Sequence, residues 1–383
     1  MNGSERGWRH FAPRLALLAV SLAFMDVASC AVGRKLQDHW LMYRPPVAAP
    51  GAVSYDEYMA KRDPVLGWHD LQSRSGETQD ASGARPCPAF PDPEDDAPLA
   101  VYGDSFAYGE EVSHEEAWSN LLARRTGRRV ANFGVPGFGT DQALLRYIGH
   151  DHDADVVILT LLTENVVRNA TRSLDLLSCR LEYAQKPRYV LADDGTLTLV
   201  PLPVLDETSY RRALGLAEPF LDLPHENFQI GGPSGAVRLR FPYTLSILRN
   251  LGDFRMRARM KGIPRHAVFY EDGATPDPLP VTRAIVARFV DEAESRGQRA
   301  LVVMLPTRED IDYRREHGAW LHGDFLRSLL DAGLPVTDLC DAIAGHVGQG
   351  GTEGLFRPGG HYGPELNAAF AEAVDDLLRA ATD

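Results

Sequence analysis

The chain has 383 residues, 44% hydrophobic and 24% charged, which is enough apolar material for one large or two small cores and excludes disorder as the main state. Lys and Arg total 40 against 53 Asp and Glu, a net charge of -13, so no general phosphate-binding surface exists and nucleic acid is not an expected partner. Beyond the N-terminal apolar segment only Cys87, Cys179 and Cys340 remain, too few and too scattered for a disulfide framework or a zinc site.

Arg6, Arg9 and Arg14 precede an apolar run from Leu15 to Val32, interrupted only by Asp26. As a helix rising about 1.5 Å per residue, the run just crosses a hydrocarbon layer, and the arginines keep its N-terminus cytoplasmic. Residues 1–35 are therefore read as a signal anchor in the cell membrane, with the rest of the chain extracytoplasmic, in the periplasm or at the cell surface. Val27-Ala28-Ser29-Cys30 resembles a bacterial lipoprotein cleavage box in which Cys30 carries the lipid, although Asp26 departs from that pattern. A helix buried in a core is the alternative to both.

Residues 36–98 read as linker and docking segment. Arg44 to Asp63 is Pro- and Ala-rich, and Gln72 to Pro98 has little hydrophobic periodicity. Between them, the apolar residues of Asp63-Pro64-Val65-Leu66-Gly67-Trp68 are expected to dock on the domain that follows.

That domain, residues 99–383, opens with the apolar run Leu99 to Tyr102, a turn at Gly103-Asp104-Ser105 and a helical stretch. Further β-type runs are Val130 to Phe133, Val156 to Leu162, Ala300 to Leu305 and Leu334 to Leu339, separated mostly by helical patterns such as Val281, Ile285, Phe289 and Ala293 ending at Gly297. This alternation predicts a five-stranded parallel sheet covered on both faces. Pro364 followed by Leu366, Phe370, Val374, Leu377 and Leu378 predicts a closing helix. Residues 172–280 break the alternation and read as an inserted cap. Within it, Tyr189 to Leu191, Asp194-Gly195 and Thr196 to Val200 predict a hairpin with a type I′ turn.

Ligands of open parallel sheets bind beyond the carboxyl ends of the strands. After the first strand, Ser105 in Gly103-Asp104-Ser105-Phe106 sits at a helix N-terminus, good placement for a nucleophile. After the second comes Asn132-Phe133-Gly134-Val135-Pro136-Gly137-Phe138-Gly139-Thr140, in which the Gly137 N–H is the candidate oxyanion donor. After the third, Thr163-Glu164-Asn165 offers a side-chain amide to the same oxyanion. Before the last helix, His361 in Gly359-Gly360-His361-Tyr362 is the candidate general base.

With these four blocks in this order, the sequence resembles the SGNH hydrolase superfamily, the GDSL-type esterases and acyltransferases, over about residues 99–150, 155–170 and 300–380. The resemblance implies a flavodoxin-like three-layer α/β/α sandwich, Ser105 as nucleophile, His361 as base, and an oxyanion hole from the Ser105 N–H, Gly137 and Asn165, without metal or cofactor. The anchor, the Leu66-Gly67-Trp68 segment and the cap look like exported, membrane-tethered bacterial members, which implies an acylated carbohydrate or small ester as substrate. Two departures stand out. Thr163 and Val166 replace the outer residues of the usual Gly-x-Asn-Asp block, and Pro358 occupies the position three before the histidine where the family has its triad aspartate. A backbone carbonyl, Glu353 or another acid then has to orient His361. The expected function is serine esterase hydrolysis of O-acyl, most simply O-acetyl, esters through an acyl-enzyme. An O-acyltransferase of extracellular polysaccharide and a catalytically weakened carbohydrate-binding or assembly protein of the same fold are the alternatives.

Other features carry less. Tyr108, Phe138 and Tyr362 adjoin the motif residues and are candidates for stacking on a sugar. His150-Asp151-His152-Asp153 has metal-ligand residue types but reads as a solvated turn. Asp104 reads as a helix cap, and Pro306 to Asp310 as either cleft lining or a capped helix start. Asn169-Ala170-Thr171 matches a glycosylation sequon.

Overall fold

The computed structural model describes residues 3–44, 47–48, 54–60, 62–68, 79–93, 96–178, 180–181, 184–204, 206–210, 223–230, 232, 234–274, 277–348 and 351–380. Cys179, the start of the Gln72 to Pro98 stretch and part of the cap lie outside the described residues.

Five strands form one parallel sheet: β1 (Leu99–Tyr102), β2 (Val130–Asn132), β3 (Val156–Leu162), β4 (Arg299–Leu305) and β5 (Val336–Asp338), in the order β2-β1-β3-β4-β5. Leu99 pairs with both Val130 and Val156, Arg299 with Val156, and Val302 with Val336. The order reverses direction between β1 and β3, the place where flavodoxin-like sheets open a crevice. Every residue of β1, β2 and β3 is buried, and alternate side chains enter opposite cores. On β4, Val302 and Met304 join one cluster with Tyr147, Ile285 and Phe289, while Val303 and Leu305 join the other with Trp118, Leu366 and Phe370.

The first core is roofed by α4 (Thr140–Gly149) and α8 (Leu279–Ser295), the second by α3 (Trp118–Thr126) and α10 (Pro364–Ala380), giving three α/β/α layers. The predicted stripe of the closing helix faces inward, with Leu366, Phe370 and Val374 fully buried and Phe370 stacked on Trp118 at 4.1 Å. Leu66 and Trp68 dock on the first core, whereas Val65 of the same segment is exposed.

Residues 184–274 include a hairpin, Arg188–Leu191 with Leu197–Val200, and the helices α6 (Tyr243–Asn250) and α7 (Phe254–Lys261). The hairpin turn departs from type I′. Asp193 and Asp194 do not take positive φ; Gly195 alone does, at 83°, and its N–H bonds the Ala192 carbonyl, the three-residue form with a glycine bulge. Phe228, Phe254, Val268 and Phe269 make a separate small core rooted on Val166 and Val167, just beyond β3. A buried Lys186–Asp141 ion pair, with Lys186 Nζ also bonded to the Pro187 carbonyl at 3.0 Å, ties this region to α4.

The N-terminal apolar run lies in one helix, α1 (Gly3–Asp38), and its Pro13–Asp38 part has a window of mean hydropathy 2.2 with none of it buried in protein. The alternative of a core helix is therefore wrong for this segment. It is long and apolar enough to cross a membrane.

Candidate functional site

Ser105 begins the short helix α2 (Ser105–Tyr108) directly after β1. Asp104 caps it, its Oδ1 accepting from the Phe106 and Ala107 N–H groups at 2.9 and 3.3 Å, which confirms the cap reading of that residue. Arg168 holds the other carboxylate oxygen of Asp104 at 3.5 Å. The serine is 3% exposed and lines a cleft of about 650 Å³ shared with Glu110, Gly137, Glu164, His266 and His361. Among the described residues, its Oγ has no hydrogen-bond partner.

Of the oxyanion candidates, Gly137 lines the same cleft. Gly137 stands at φ 82°, a conformation that turns the loop after β2 sharply and that a side chain would resist. Trp68 Nε1 donates to the Pro136 carbonyl at 3.0 Å, so the docking segment anchors the residue next to Gly137. Neither the Ser105 nor the Gly137 N–H donates to a protein acceptor among the described residues. Asn165, first residue of α5 (Asn165–Arg168), is buried with both amide atoms unpartnered. A buried amide without partners is costly unless a ligand satisfies it.

His361 shows what the sequence did not. Its Nδ1 lies 2.7 Å from Glu111 Oε2, and because a carboxylate only accepts, the imidazole carries a proton on Nδ1 and presents Nε2 to the cleft. Glu111 also accepts from the N–H groups of Gly359 at 2.8 Å and His361 at 3.4 Å. Burial raises the Glu111 carboxyl, but His361 and these two N–H groups outweigh it and hold it below its ordinary value. Glu111 stands at φ 69°, a backbone state that a glutamate rarely adopts. A Cβ built on Gly359 would lie 2.5 to 2.9 Å from the Glu111 carboxyl group, so the glutamate occupies the space of any side chain at 359. Neither a backbone carbonyl nor Glu353 takes this role. Nε2 is 3.4 Å from Glu110 Oε2, and no hydrogen bond joins it to Ser105. Apo catalytic contacts are often loose in this way.

The altered residues after β3 have physical reasons. The Thr163 hydroxyl donates to Asp310, which also accepts from the Thr307 N–H at 2.7 Å in the capping box of α9 (Arg308–His317). Asp310 in turn holds His266 Nε2 at 2.6 Å, a second His–carboxylate pair, this one buried, with His266 in the cleft wall. Burial discourages the charged form of both, but their mutual attraction wins, raising His266 and lowering Asp310 from their ordinary values. Val166, in place of the usual acid, is fully buried in the small core.

Three expectations are corrected. Tyr108, Phe138 and Tyr362 do not line the cleft. Tyr108 and Phe138 are fully buried, with the Arg85 guanidinium over the Tyr108 ring at 4.2 Å, and the Tyr362 hydroxyl donates to the Pro306 carbonyl at 2.6 Å. Tyr108 and Phe138 enter the first core, and Tyr362 enters the second against Phe106 and Phe356. His150 and His152 pack edge-on against Phe133 instead of forming a solvated turn, and burial lowers His150 to about 4. Asn169 is buried, its amide bonded to Thr282 at 3.0 Å, so the sequon is closed to modification in this fold.

No family model and no curated protein sequence matches the chain. Solved structures align at low identity. A member of the lipolytic protein G-D-S-L family from Veillonella parvula is 9% identical at TM-score 0.33, covering 72% of this chain and 96% of its own. A psychrotrophic esterase from a Pseudoalteromonas species is 9% identical at TM-score 0.33, covering 73% and 98%. An acetyl xylan esterase from the rumen bacterium Butyrivibrio proteoclasticus is 12% identical at TM-score 0.35, covering 76% and 66%.

Proposed function

We propose that this chain is a serine esterase, held at a membrane by its N-terminal helix, that hydrolyses O-acyl and most simply O-acetyl esters of a carbohydrate or related substrate. The observation that carries the reading is the shared cleft of Ser105 and His361, with the outer imidazole nitrogen bonded to Glu111 at 2.7 Å.

In this reading His361 Nε2 takes the Ser105 proton as Oγ bonds to the ester carbonyl carbon. The Ser105 and Gly137 N–H groups and the Asn165 amide receive the tetrahedral oxyanion, three donors that have no protein acceptor to release. As the alkoxide leaves, His361 protonates it, and the acyl-enzyme is then opened by water activated through the same nitrogen. Glu111 fixes the tautomer and stabilises the imidazolium, without itself taking the proton. A catalytically weakened relative is favoured by Pro358 and by the altered block at Thr163 and Val166; the Glu111 carboxylate beside His361 supports the enzyme reading against the first of these.

The test is hydrolysis of p-nitrophenyl acetate and labelling of Ser105 by a fluorophosphonate, compared with Ser105→Ala and His361→Ala. Activity in the wild type lost in both variants supports the reading. A folded protein that neither hydrolyses nor labels overturns it. Preferential capture of the acyl group by an added sugar over water would make the enzyme an O-acyltransferase by the same chemistry.

A further inference from the structure

The charge that interrupts the N-terminal apolar run has a partner. Asp26 Oδ1 accepts from the Thr244 N–H at 2.9 Å, in the first turn of α6, and Ser29 Oγ lies 3.0 Å from Thr244 Oγ1. Gly33 leaves room for Leu239, where a Cβ would overlap that side chain. Gln37 Nε2 donates to the Tyr43 carbonyl at 2.6 Å, and the Tyr43 N–H to Val237 at 3.0 Å. The C-terminal half of α1 is thus packed along residues 237–244. The Asp26 contact lies six residues, or roughly 9 Å of helix, inside the Val32 end of the apolar run.

On α6 and its flanks, Phe241, Leu245, Leu248 and Leu251 are exposed, Phe241 by 78% and Leu248 by 59%. Leu245, Leu248 and Leu251, three residues apart, share one helical face, and Phe241 lies just before the helix. Arg240 and Arg249 are exposed beside it, and both line a cavity of about 500 Å³ with Arg257.

We propose that α6 with Phe241 is a second membrane-binding element, seated in the outer leaflet against α1, with its arginines at the level of anionic lipid headgroups. The occupant of the stripe is the bilayer because the stripe adjoins α1, the one helix among the described residues that is long and apolar enough to cross a membrane. A carboxylate within that surface is expensive unless paired, and Asp26 is paired with the N-terminus of α6. The arginines reach from the apolar stripe toward the headgroups, in the manner of interfacial helices. On this arrangement α1 remains part of the folded protein and the body lies against the bilayer instead of swinging on a tether.

The inference rests on the membrane-tethered part of the proposed function and is independent of the ester chemistry. The experiment uses the full chain in vesicles of phosphatidylcholine with phosphatidylglycerol. An NBD fluorophore is placed at Leu18→Cys, Leu248→Cys or the exposed Asp194→Cys in a background with Cys30 and Cys179 changed to Ser, and quenching by doxyl-labelled lipid is read. Quenching at 18 and 248, with none at 194, is expected. Asp26→Ala should weaken quenching at 248 while leaving 18 unchanged, and Arg240→Gln with Arg249→Gln should remove any dependence on phosphatidylglycerol. Quenching at 18 without 248 would overturn the inference and leave the tether standing. No quenching at either would overturn the tether as well. Crosslinking of 248 to a second copy without lipid quenching would assign the stripe to self-association and overturn the inference.

Discussion

Glu111→Gln and Glu111→Ala test the orienting acid. The alanine variant removes the acceptor at 2.7 Å from His361 Nδ1 and the carboxylate that holds the Gly359 and His361 N–H groups. All three donors meet one charged carboxylate, and the bond to His361 Nδ1, the one that acts on the base, contributes about 1.5–3 kcal/mol. Expressed on turnover, that is about 10- to 10²-fold, with about 10⁴, the loss when a triad aspartate is made an amide, as the upper bound. Glutamine keeps an acceptor for the Gly359 N–H, but an amide N–H turned to His361 Nδ1 favours the wrong tautomer, so its loss should approach that upper bound. The decisive variant is Glu111→Ala with Gly359→Asp. Because a Cβ at 359 lies 2.5 Å from Glu111 Oε2, the aspartate clashes with the glutamate in the wild type and occupies its place once the glutamate is gone. Gly359→Asp alone should therefore lower the rate of fluorophosphonate labelling and of p-nitrophenyl acetate turnover, while the double variant recovers part of the loss, a strongly non-additive cycle. Glu111→Ala within a few-fold of wild type, or a double variant no better than either single one, would refute the assignment.

Asn165→Ala should lower turnover by about 10² to 10³ with folding unchanged, since its amide has no protein partner to lose, and steady-state kinetics beside a thermal melt checks both. Trp68→Phe removes the 3.0 Å bond to Pro136, worth about 0.5–1.5 kcal/mol, and should cost about 2- to 10-fold in kcat through a looser Gly137 loop. Lys186→Met strands the buried Asp141 and should cost about 3–5 kcal/mol in urea unfolding, whereas exposed Arg327→Met should cost almost nothing. The His266–Asp310 pair gives a pH signature. A raised His266 contributes stability that is complete below its ordinary 6.5 and lost as pH rises through the higher folded value. A lowered Asp310 contributes stability that is complete above its ordinary 3.8 and lost as pH falls. The stability gap between wild type and His266→Gln should therefore be widest between 3.8 and 6.5, and a gap that grows toward alkaline pH would refute the pairing.

Strand runs and strand-end motifs were readable from the residues because local chemistry makes them. Apolar runs of four to seven residues buried on both faces need parallel neighbours; Ser105, Gly137 and Asn165 follow the carboxyl ends of β1, β2 and β3, and His361 precedes the last helix. The aromatic neighbours misled because adjacency in sequence says nothing about the direction of a side chain at a turn. Tyr108 and Phe138 are next to candidate site residues in sequence and are buried away from the cleft.

What the residues alone determined is the α/β alternation, the apolar N-terminal helix and the nucleophile, base and oxyanion candidates, all consequences of short-range pattern. What only the tertiary structure decided is which groups meet across long stretches of chain. Glu111 reaches His361 over 250 residues because a left-handed turn aims it into the space beside Gly359. Thr163 meets Asp310 over 147 residues, and Asp26 meets Thr244 over 218. Each of these carboxylates is compatible with an ordinary surface position in the sequence, and only packing, which removes water and brings one donor within reach, turns it into a specific partner.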